Sequence, residues 1–452
     1  MTFRRLFSLL AFSAYTITST AQTVTIDAVS ADMQILASDD MRGRAIGSPE
    51  IAQAERYIVA QLQQHGLQPL ASIGSYRQAF TLNHYQPTTA SLRINGTAID
   101  DGDIALSGNM PTFSLTHADL TISQVGKEQD LRGALSELNE RGGKHLVLID
   151  ETHRAQFLQY RNYLAKGKKA LTHASDDVLV LAMAPASINQ DINAVKRVQL
   201  TGKIKHKKID LANIVAVLPA QTESDEYVIF SAHHDHVGAT QATDASQDVI
   251  YNGANDDATG VSAVLNLARA FSQAKDNGQL NLQRNIMFVS FTAEESGLIG
   301  SNVFVEQVNT DNVVAMLNIE MIGKASQYGP GRVWMTGFER SNLGALLNSE
   351  LAKQGNEQHA IFADPYPNFR LFYRSDNASL AKKGVPAHSI SSTQIDQDKD
   401  YHKVTDEIDT LDLVQMTDII NNLFISSKPL LEGTVTPKRL DKVAGRPIGV
   451  FF

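Results

Sequence analysis

The sequence contains no cysteine, and this absence excludes a whole group of chemistries. A chain without thiols has no cysteine nucleophile, no iron–sulfur cluster, no thiolate zinc site and no lipid-modified cysteine. Any zinc ion must therefore be held by histidine, aspartate and glutamate side chains. With 452 residues, of which 43% are hydrophobic and 20% charged, the composition is that of a globular protein with two or three domains.

Positive charge is not in excess either. The chain has 40 lysine and arginine residues against 49 aspartate and glutamate residues, and its formal net charge is −9. Surfaces that bind nucleic acids are usually strongly basic. A nucleic-acid partner is therefore not expected.

Long hydrophobic runs are absent beyond the first residues of the chain. There, Arg4 and Arg5 precede an uncharged apolar run over 6–15, and small residues end the segment at Ala21. This order predicts a secretory signal peptide, residues 1–21, that is cleaved after Ala21. A short membrane anchor is the alternative, but the run is too short to span a bilayer comfortably. We expect a periplasmic or secreted protein with no stable membrane insertion after cleavage.

The remaining chain divides by its hydrophobic pattern. From about residue 210, short apolar runs alternate with helical patterns, of which the longest covers 411–431. This alternation predicts an α/β fold with a mostly parallel central sheet flanked by helices. Segments 22–89 and 206–432 are expected to form this domain together. Short strand-like runs over 90–205 predict an inserted, mostly-β domain, and residues 433–452 form a C-terminal extension.

Polar side chains follow three of the predicted strands at the point where each strand ends. In open α/β sheets, ligands bind beyond the carboxyl ends of the strands, so these side chains are expected to meet. They are His233 with Asp235, Glu294 with Glu295, and Glu320.

The residue types at these strand ends favour a metal site. Residues two apart point to the same side of an extended chain, so Asp235 can orient the ring of a metal-bound His233. Glu294 and Glu295 are adjacent and point in different directions. One of them can bind metal while the other takes a proton from water. A solvated helix start is the alternative explanation for this acidic pair.

Two loop residues complete the candidate set. Asp256, in the small-residue loop 252–260, could bridge two cations with its two oxygens, although a simple helix cap uses the same residue types. His402 would supply the nitrogen ligand of a second metal, although a lone histidine in a polar loop is more often a surface residue. Together these side chains suit two zinc ions ~3.5–4 Å apart. His234 and His236 receive no role.

Across these segments the chain resembles the M28 family of zinc metallopeptidases, which have a phosphorylase/hydrolase-like fold. The resemblance covers about 30–85 and 210–430. The matching motifs, in the family's order, are 232–235, 253–260, 292–298, 318–321, and Tyr401-His402 with Asp406. Shorter matches lie at Gly43-Arg44, Gly66-Leu67, 375–377 and 383–386.

The resemblance implies a role for each candidate residue. One zinc ion would be bound by His233, supported by Asp235, and by Glu320. The other would be bound by Glu295 and His402, with Asp256 bridging both ions and Glu294 acting as general base. It also implies a cis peptide bond between Asp256 and Asp257. The chain departs from the family pattern at Glu320, where Asp is common, and at Asn377, where His is frequent.

The implied function is that of a secreted or periplasmic dizinc exopeptidase acting on peptides, with an aminopeptidase as the main hypothesis. A carboxypeptidase of the same family is the near alternative, and Arg370 or Arg374 would then hold the terminal carboxylate. A single-zinc glutaminyl cyclase shares the fold group. A non-catalytic binding module is a further alternative, but it would be expected to have lost ligands or the base. The sequence assigns no oligomeric state.

Overall fold

The computed structural model describes residues 24–172, 176–185, 188, 191–244 and 246–441. The predicted signal peptide, 1–21, lies outside these residues, as do residues 442–452 of the predicted extension. No helix within the described ranges is long and apolar enough to cross a membrane.

Within the described residues, a sheet of 12 strands forms the centre of the molecule. Its strands are Gln68–Pro69, Arg77–Ile94, Thr97–Ala98, Thr112–Thr116, Lys168–Ala170, Val198–Leu218, Tyr227–His233, Asn285–Phe291, Val313–Ile319, Val333–Met335, Ile361–Ala363 and Ala387–Ser391. The four central strands lie in the order Ala387–Ser391, Val313–Ile319, Tyr227–His233, Asn285–Phe291 and are parallel. Their carboxyl ends consequently share one edge of the sheet.

Helices cover both faces of this sheet, and alternate strand residues serve each face. Phe230 packs into the core under the helices Ile26–Leu36, Thr259–Asp276 and Leu413–Leu431, while its neighbour Ile229 packs into a second core on the opposite face. The other helices are Pro49–Gln64, Leu131–Arg141, Arg154–Ala165, Ile299–Val305, Leu343–Lys353 and Asn377–Ala381. A strand that is buried on both faces reads as an unbroken apolar run, as residues 286–289 do. The predicted fold class is confirmed.

The insert grows out of the same sheet. Arg77–Ile94 and Val198–Leu218 pair antiparallel from Ile214 opposite Arg77 to Val198 opposite Ile94, and so continue from the main domain into the insert. A second sheet there contains Ile104–Gly108, Thr121–Val125, Lys144–Ile149 and Val178–Met183. The insert also contains the helices Leu131–Arg141 and Arg154–Ala165, which the sequence reading did not predict. The predicted boundaries at 89/90 and 205/206 fall inside the two long strands, so the division into domains stays a prediction.

Candidate metal centre

Three of the parallel strands deliver the polar side chains predicted from the sequence. His233 is the last residue of Tyr227–His233, Glu320 follows Val313–Ile319 directly, and the Glu294-Glu295 pair lies three residues beyond Asn285–Phe291. The shared direction of these strands brings side chains 87 positions apart into contact, as for His233 and Glu320.

The first group of converging donors is His233, Asp256 and Glu320. The Nε2 atom of His233 lies 3.1 Å from Asp256 Oδ1 and 3.1 Å from Glu320 Oε1. The extra methylene of Glu320 is therefore no obstacle to its reaching this group. Ser375 donates a hydrogen bond of 2.6 Å to the other oxygen of Glu320, which orients the carboxylate.

The second group is Asp256, Glu295, His402 and His236. The Nε2 atom of His402 lies 3.1 Å from Asp256 Oδ2 and 3.2 Å from Glu295 Oε1. His236, which the sequence reading left without a role, places Nδ1 2.9 Å from Glu295 Oε1. The two oxygens of Asp256 thus face different groups, Oδ1 toward His233 and Oδ2 toward His402.

The loop around Asp256 is held by buried hydrogen bonds from main-chain N–H groups to side-chain carboxylates. The two oxygens of Asp406 accept from the backbone N–H groups of Asn255, at 2.9 Å, and Asp256, at 3.1 Å. The peptide bond between Asp256 and Asp257 is cis, as the resemblance implies. The carboxylate of Asp257 accepts hydrogen bonds from the backbone of both His233 and Met321, so it ties this loop to two strand ends.

Asp235 has a different task from the one predicted. The ring Nδ1 of His233 lies 3.0 Å from the main-chain carbonyl of Asp235 and 3.9 Å from its carboxylate. The carboxylate instead accepts a hydrogen bond of 3.0 Å from the backbone N–H of Glu294. The reason is the turn after His233, which brings the carbonyl nearer to the ring than the side chain. Asp235 still links His233 to Glu294.

Arg44 holds three segments of the centre together from inside. Arg44 is 1% exposed, and its guanidinium donates to the carbonyl oxygens of Leu36 at 2.6 Å, His234 at 3.0 Å, Asn252 at 2.6 Å and Gly253 at 2.9 Å. Gly43 precedes it in a left-handed conformation, and a Cβ there would lie 2.3 Å from the carbonyl oxygen of Tyr251. The Gly43-Arg44 segment is thus shaped to fit against the loops that carry the metal-binding residues.

The electrostatics of the centre favour a bound cation. Burial by itself favours a neutral His402 ring, but the neighbouring carboxylates of Asp256 and Glu295 raise the pKa of His402 to about 10. Burial raises the pKa of Glu294 well above its ordinary value; His233 opposes this shift, and the carboxylates of Glu295 and Glu320 add to it. Several buried carboxylates this close together need compensating positive charge.

The donor atoms also fit zinc. Both ring nitrogens of His236 and the Oε1 atom of Glu295 are buried without a hydrogen-bond partner. Nitrogen and carboxylate oxygen donors are the ligands that zinc accepts when no thiolate is available. Two groups that share one carboxylate can hold a pair of such ions.

An open cavity adjoins the two groups. Beside the ligands, it is lined by the apolar side chains of Met321, Trp334, Leu371 and Ile395, and by Arg374. Of the two arginines considered for a terminal carboxylate, Arg374 lines this cavity and Arg370 does not. The insert reaches the same region through Lys169, whose Nζ donates to Ser296 Oγ at 2.8 Å.

Comparison with known proteins agrees with this geometry. Residues 213–424 match the family model of Peptidase family M28. The predicted resemblance to family M28 is thereby confirmed over the segment that carries every predicted site residue.

Several curated proteins are similar to part of the chain. Leucine aminopeptidase 1 of Penicillium rubens is 28% identical over 214 residues, which are 45% of this chain and 52% of that protein. A probable zinc metalloprotease of Pyrenophora tritici-repentis is 31% identical over 119 residues, which are 26% of this chain and 25% of that protein. The chain therefore spans about half the length, or less, of these curated relatives.

Solved structures share the fold. The aminopeptidase from Aneurinibacillus sp. strain AM-1 has a TM-score of 0.57 at 20% identity, covering 94% of this chain and 97% of that chain. The zinc aminopeptidase BSAP from Bacillus subtilis has a TM-score of 0.55 at 15% identity, covering 91% and 96%.

Proposed function

We propose that this protein is a dizinc aminopeptidase that removes N-terminal residues from peptides. One observation carries the proposal: Asp256 turns one oxygen to each of two histidine–carboxylate groups, and Glu294, which belongs to neither group, lines the cavity beside them. The M28 match and the named aminopeptidases among the relatives support it.

The chain offers a set of ligands for each ion. His233 and Glu320 would hold one, Glu295 and His402 would hold the other, and Asp256 would be shared. Zinc at these positions would supply a Lewis acid for the scissile carbonyl and for the attacking water.

Glu294 is placed to move protons. It lines the cavity but belongs to neither group of converging donors. Its backbone N–H donates a hydrogen bond to the carboxylate of Asp235, which fixes the position of the Glu294-Glu295 turn relative to the neighbouring His233. Because burial raises its pKa well above the ordinary value, Glu294 is a stronger base than an exposed carboxylate and can take a proton from water and pass it to the leaving amine.

The cavity suits a peptide with a free amino end. Its acidic residues attract a cationic α-amine, and its apolar wall of Met321, Trp334, Leu371 and Ile395 suits a large aliphatic or aromatic first side chain. Arg374 in the same cavity is the observation that keeps a carboxypeptidase as the second candidate.

The test compares blocked peptides and one variant. An aminopeptidase cleaves leucine amide and a C-terminally amidated peptide but not an N-acetylated one, whereas a carboxypeptidase shows the reverse preference. Glu294→Gln should lower kcat by about 10²–10⁴-fold with two zinc ions retained per chain. Glu339→Gln, a surface carboxylate whose side chain is 74% exposed, is the control. Full activity of Glu294→Gln would refute the proposed base.

We also propose that the mature protein is periplasmic or secreted. Residues 1–21 support this, because two arginines are followed by an apolar run and then by small residues, which is the order of a signal peptide. Mass spectrometry of the exported protein should find a chain that begins at Gln22. An unprocessed chain retained in the cytoplasm would contradict it.

A further inference from the structure

His236 is a buried polar residue that the proposed mechanism does not use. It lies in the turn after the strand Tyr227–His233 and is 3% exposed. Neither of its ring nitrogens has a hydrogen-bond partner. A buried imidazole without partners costs free energy, so its position calls for a ligand.

The distances around His236 are those of a shared coordination site. Its Nδ1 lies 2.9 Å from Glu295 Oε1 and 3.9 Å from Asp256 Oδ2, and His402 Nε2 lies 3.2 Å and 3.1 Å from the same two oxygens. Four nitrogen or oxygen ligands around a tetrahedral zinc ion are roughly 3.3 Å apart. The observed separations bracket that value.

A simple pairwise hydrogen bond does not explain this arrangement. The separation of His236 Nδ1 and Glu295 Oε1 is short enough for one, but both atoms remain without a hydrogen-bond partner. The donor atoms converge on a common point instead of on each other.

The surrounding backbone holds the ring in this position. Gly253 has a left-handed conformation, and a Cβ there would lie 2.5 Å from the His236 ring. The backbone N–H of His236 donates to the carbonyl of Arg44 at 3.3 Å. The edge of the His402 ring packs against it with 5.5 Å between centroids.

We propose that His236 is a fourth protein ligand of the ion held by Asp256, Glu295 and His402, so that the two metal positions are unequal. This inference rests on the proposed dizinc function. The position with His236 has four protein donors and is closed, whereas the position of His233 and Glu320 has three and keeps a place for substrate or water. The closed position should therefore retain its ion more tightly.

Zinc retention by the full-length protein tests the inequality. Zinc per chain is measured by mass spectrometry after dialysis against increasing concentrations of a chelator. The wild type should lose its ions in two steps, at chelator concentrations that differ at least tenfold. In His236→Gln the later step should move at least tenfold lower. Loss of both ions in one step by the wild type would refute the proposal, as would an unchanged later step in the variant.

A cysteine at position 236 gives a direct readout that does not depend on activity. The chain has no other cysteine, and Nδ1 is the ring nitrogen nearer the backbone, so a thiolate can reach the same point. Cobalt-loaded His236→Cys should show a cobalt–thiolate charge-transfer band in the near ultraviolet. His234→Cys is the matched control, because the neighbouring ring faces Ser290 at 3.0 Å and should give no band.

The outcomes separate the two proposals. A wild-type chain that binds fewer than two zinc ions, or shows no turnover of leucine amide, contradicts the proposed function. Suppose instead that the wild type binds two zinc ions and is active. If folded His236→Cys then shows no band and His236→Gln has an unchanged release profile, only the proposed role of His236 is contradicted. Far-ultraviolet circular dichroism of each variant checks its folding.

Discussion

Replacing Arg44 by methionine should destabilise the folded protein by about 3–5 kcal/mol, because each buried carbonyl oxygen left without a donor costs about 1–3 kcal/mol. The guanidinium is buried and donates to carbonyl oxygens of four residues in three segments. Without it, the carbonyls of Leu36, His234, Asn252 and Gly253 lose these donors. Methionine fills much of the same space, so the loss reflects the missing hydrogen bonds more than a cavity.

The magnitude follows from opposing contributions. A hydrogen bond to a charged group contributes about 1.5–3 kcal/mol, but burying the guanidinium costs several kcal/mol and cancels part of that sum. Lysine in place of Arg44 keeps the charge but has a single donor nitrogen, so Arg44→Lys should lose less than Arg44→Met. Zinc retention should fall in both variants, because two of the carbonyls flank the loop of Asp256.

Urea unfolding gives the measurement. Circular dichroism follows the whole chain, and fluorescence follows Trp334, which is the only tryptophan and lines the cavity. Arg42→Met, an exposed neighbour, is the matched control. A difference below about 0.5 kcal/mol between the two methionine variants, the size of an ordinary surface effect, would refute this account of Arg44.

Three further predictions concern other charged groups. Burial lowers the pKa of His388 to about 4, below its unfolded value, so its stabilising contribution is present above pH 6.5 and is lost as the pH falls through 4. Across this window the free energy of unfolding in urea should fall by about 3 kcal/mol more in the wild type than in His388→Gln. Parallel profiles of the two proteins would contradict this. Lys324 pairs with Asp398 at 2.6 Å and Asp400 at 2.7 Å, just before His402 in the sequence, and so holds the loop that carries His402. Lys324→Met should release zinc several-fold more readily, and unchanged release would contradict this role in holding the loop. Lys169→Met removes a cation near an acidic site, so KM for a free-amine substrate should fall two- to fivefold at low salt and little at high salt. Lys168→Met is the control variant, and an equal change of KM in both variants would contradict the prediction.

The strand-end residues could be predicted from the sequence because parallel strands impose a simple geometry. His233, Glu295 and Glu320 each follow an apolar run, and the carboxyl ends of those runs meet at one edge. Asp256 and His402 lie in loops, and the family resemblance was needed to connect them to that edge. The sequence and the family resemblance therefore led to every member of the two donor groups except His236.

The missed features have physical reasons. His236 lies beyond the end of its strand, where the two-residue alternation of side chains no longer indicates a direction. The partners of Arg44 are main-chain carbonyls, which leave no trace in the amino-acid types. Asp235 was assigned correctly to the neighbourhood of His233, but the turn brings its carbonyl, instead of its carboxylate, to the ring.

The long ladder between Arg77–Ile94 and Val198–Leu218 has a mechanical consequence. A hinge needs a point where few hydrogen bonds must break, whereas this antiparallel ribbon joins both parts of the molecule over its whole length, with one bulge between Lys203 and Ile204. The strand Lys168–Ala170 pairs with the same ribbon, so Lys169 is anchored to the framework of the main domain. The insert should therefore move together with the main domain and keep a fixed position beside Ser296, which Lys169 contacts.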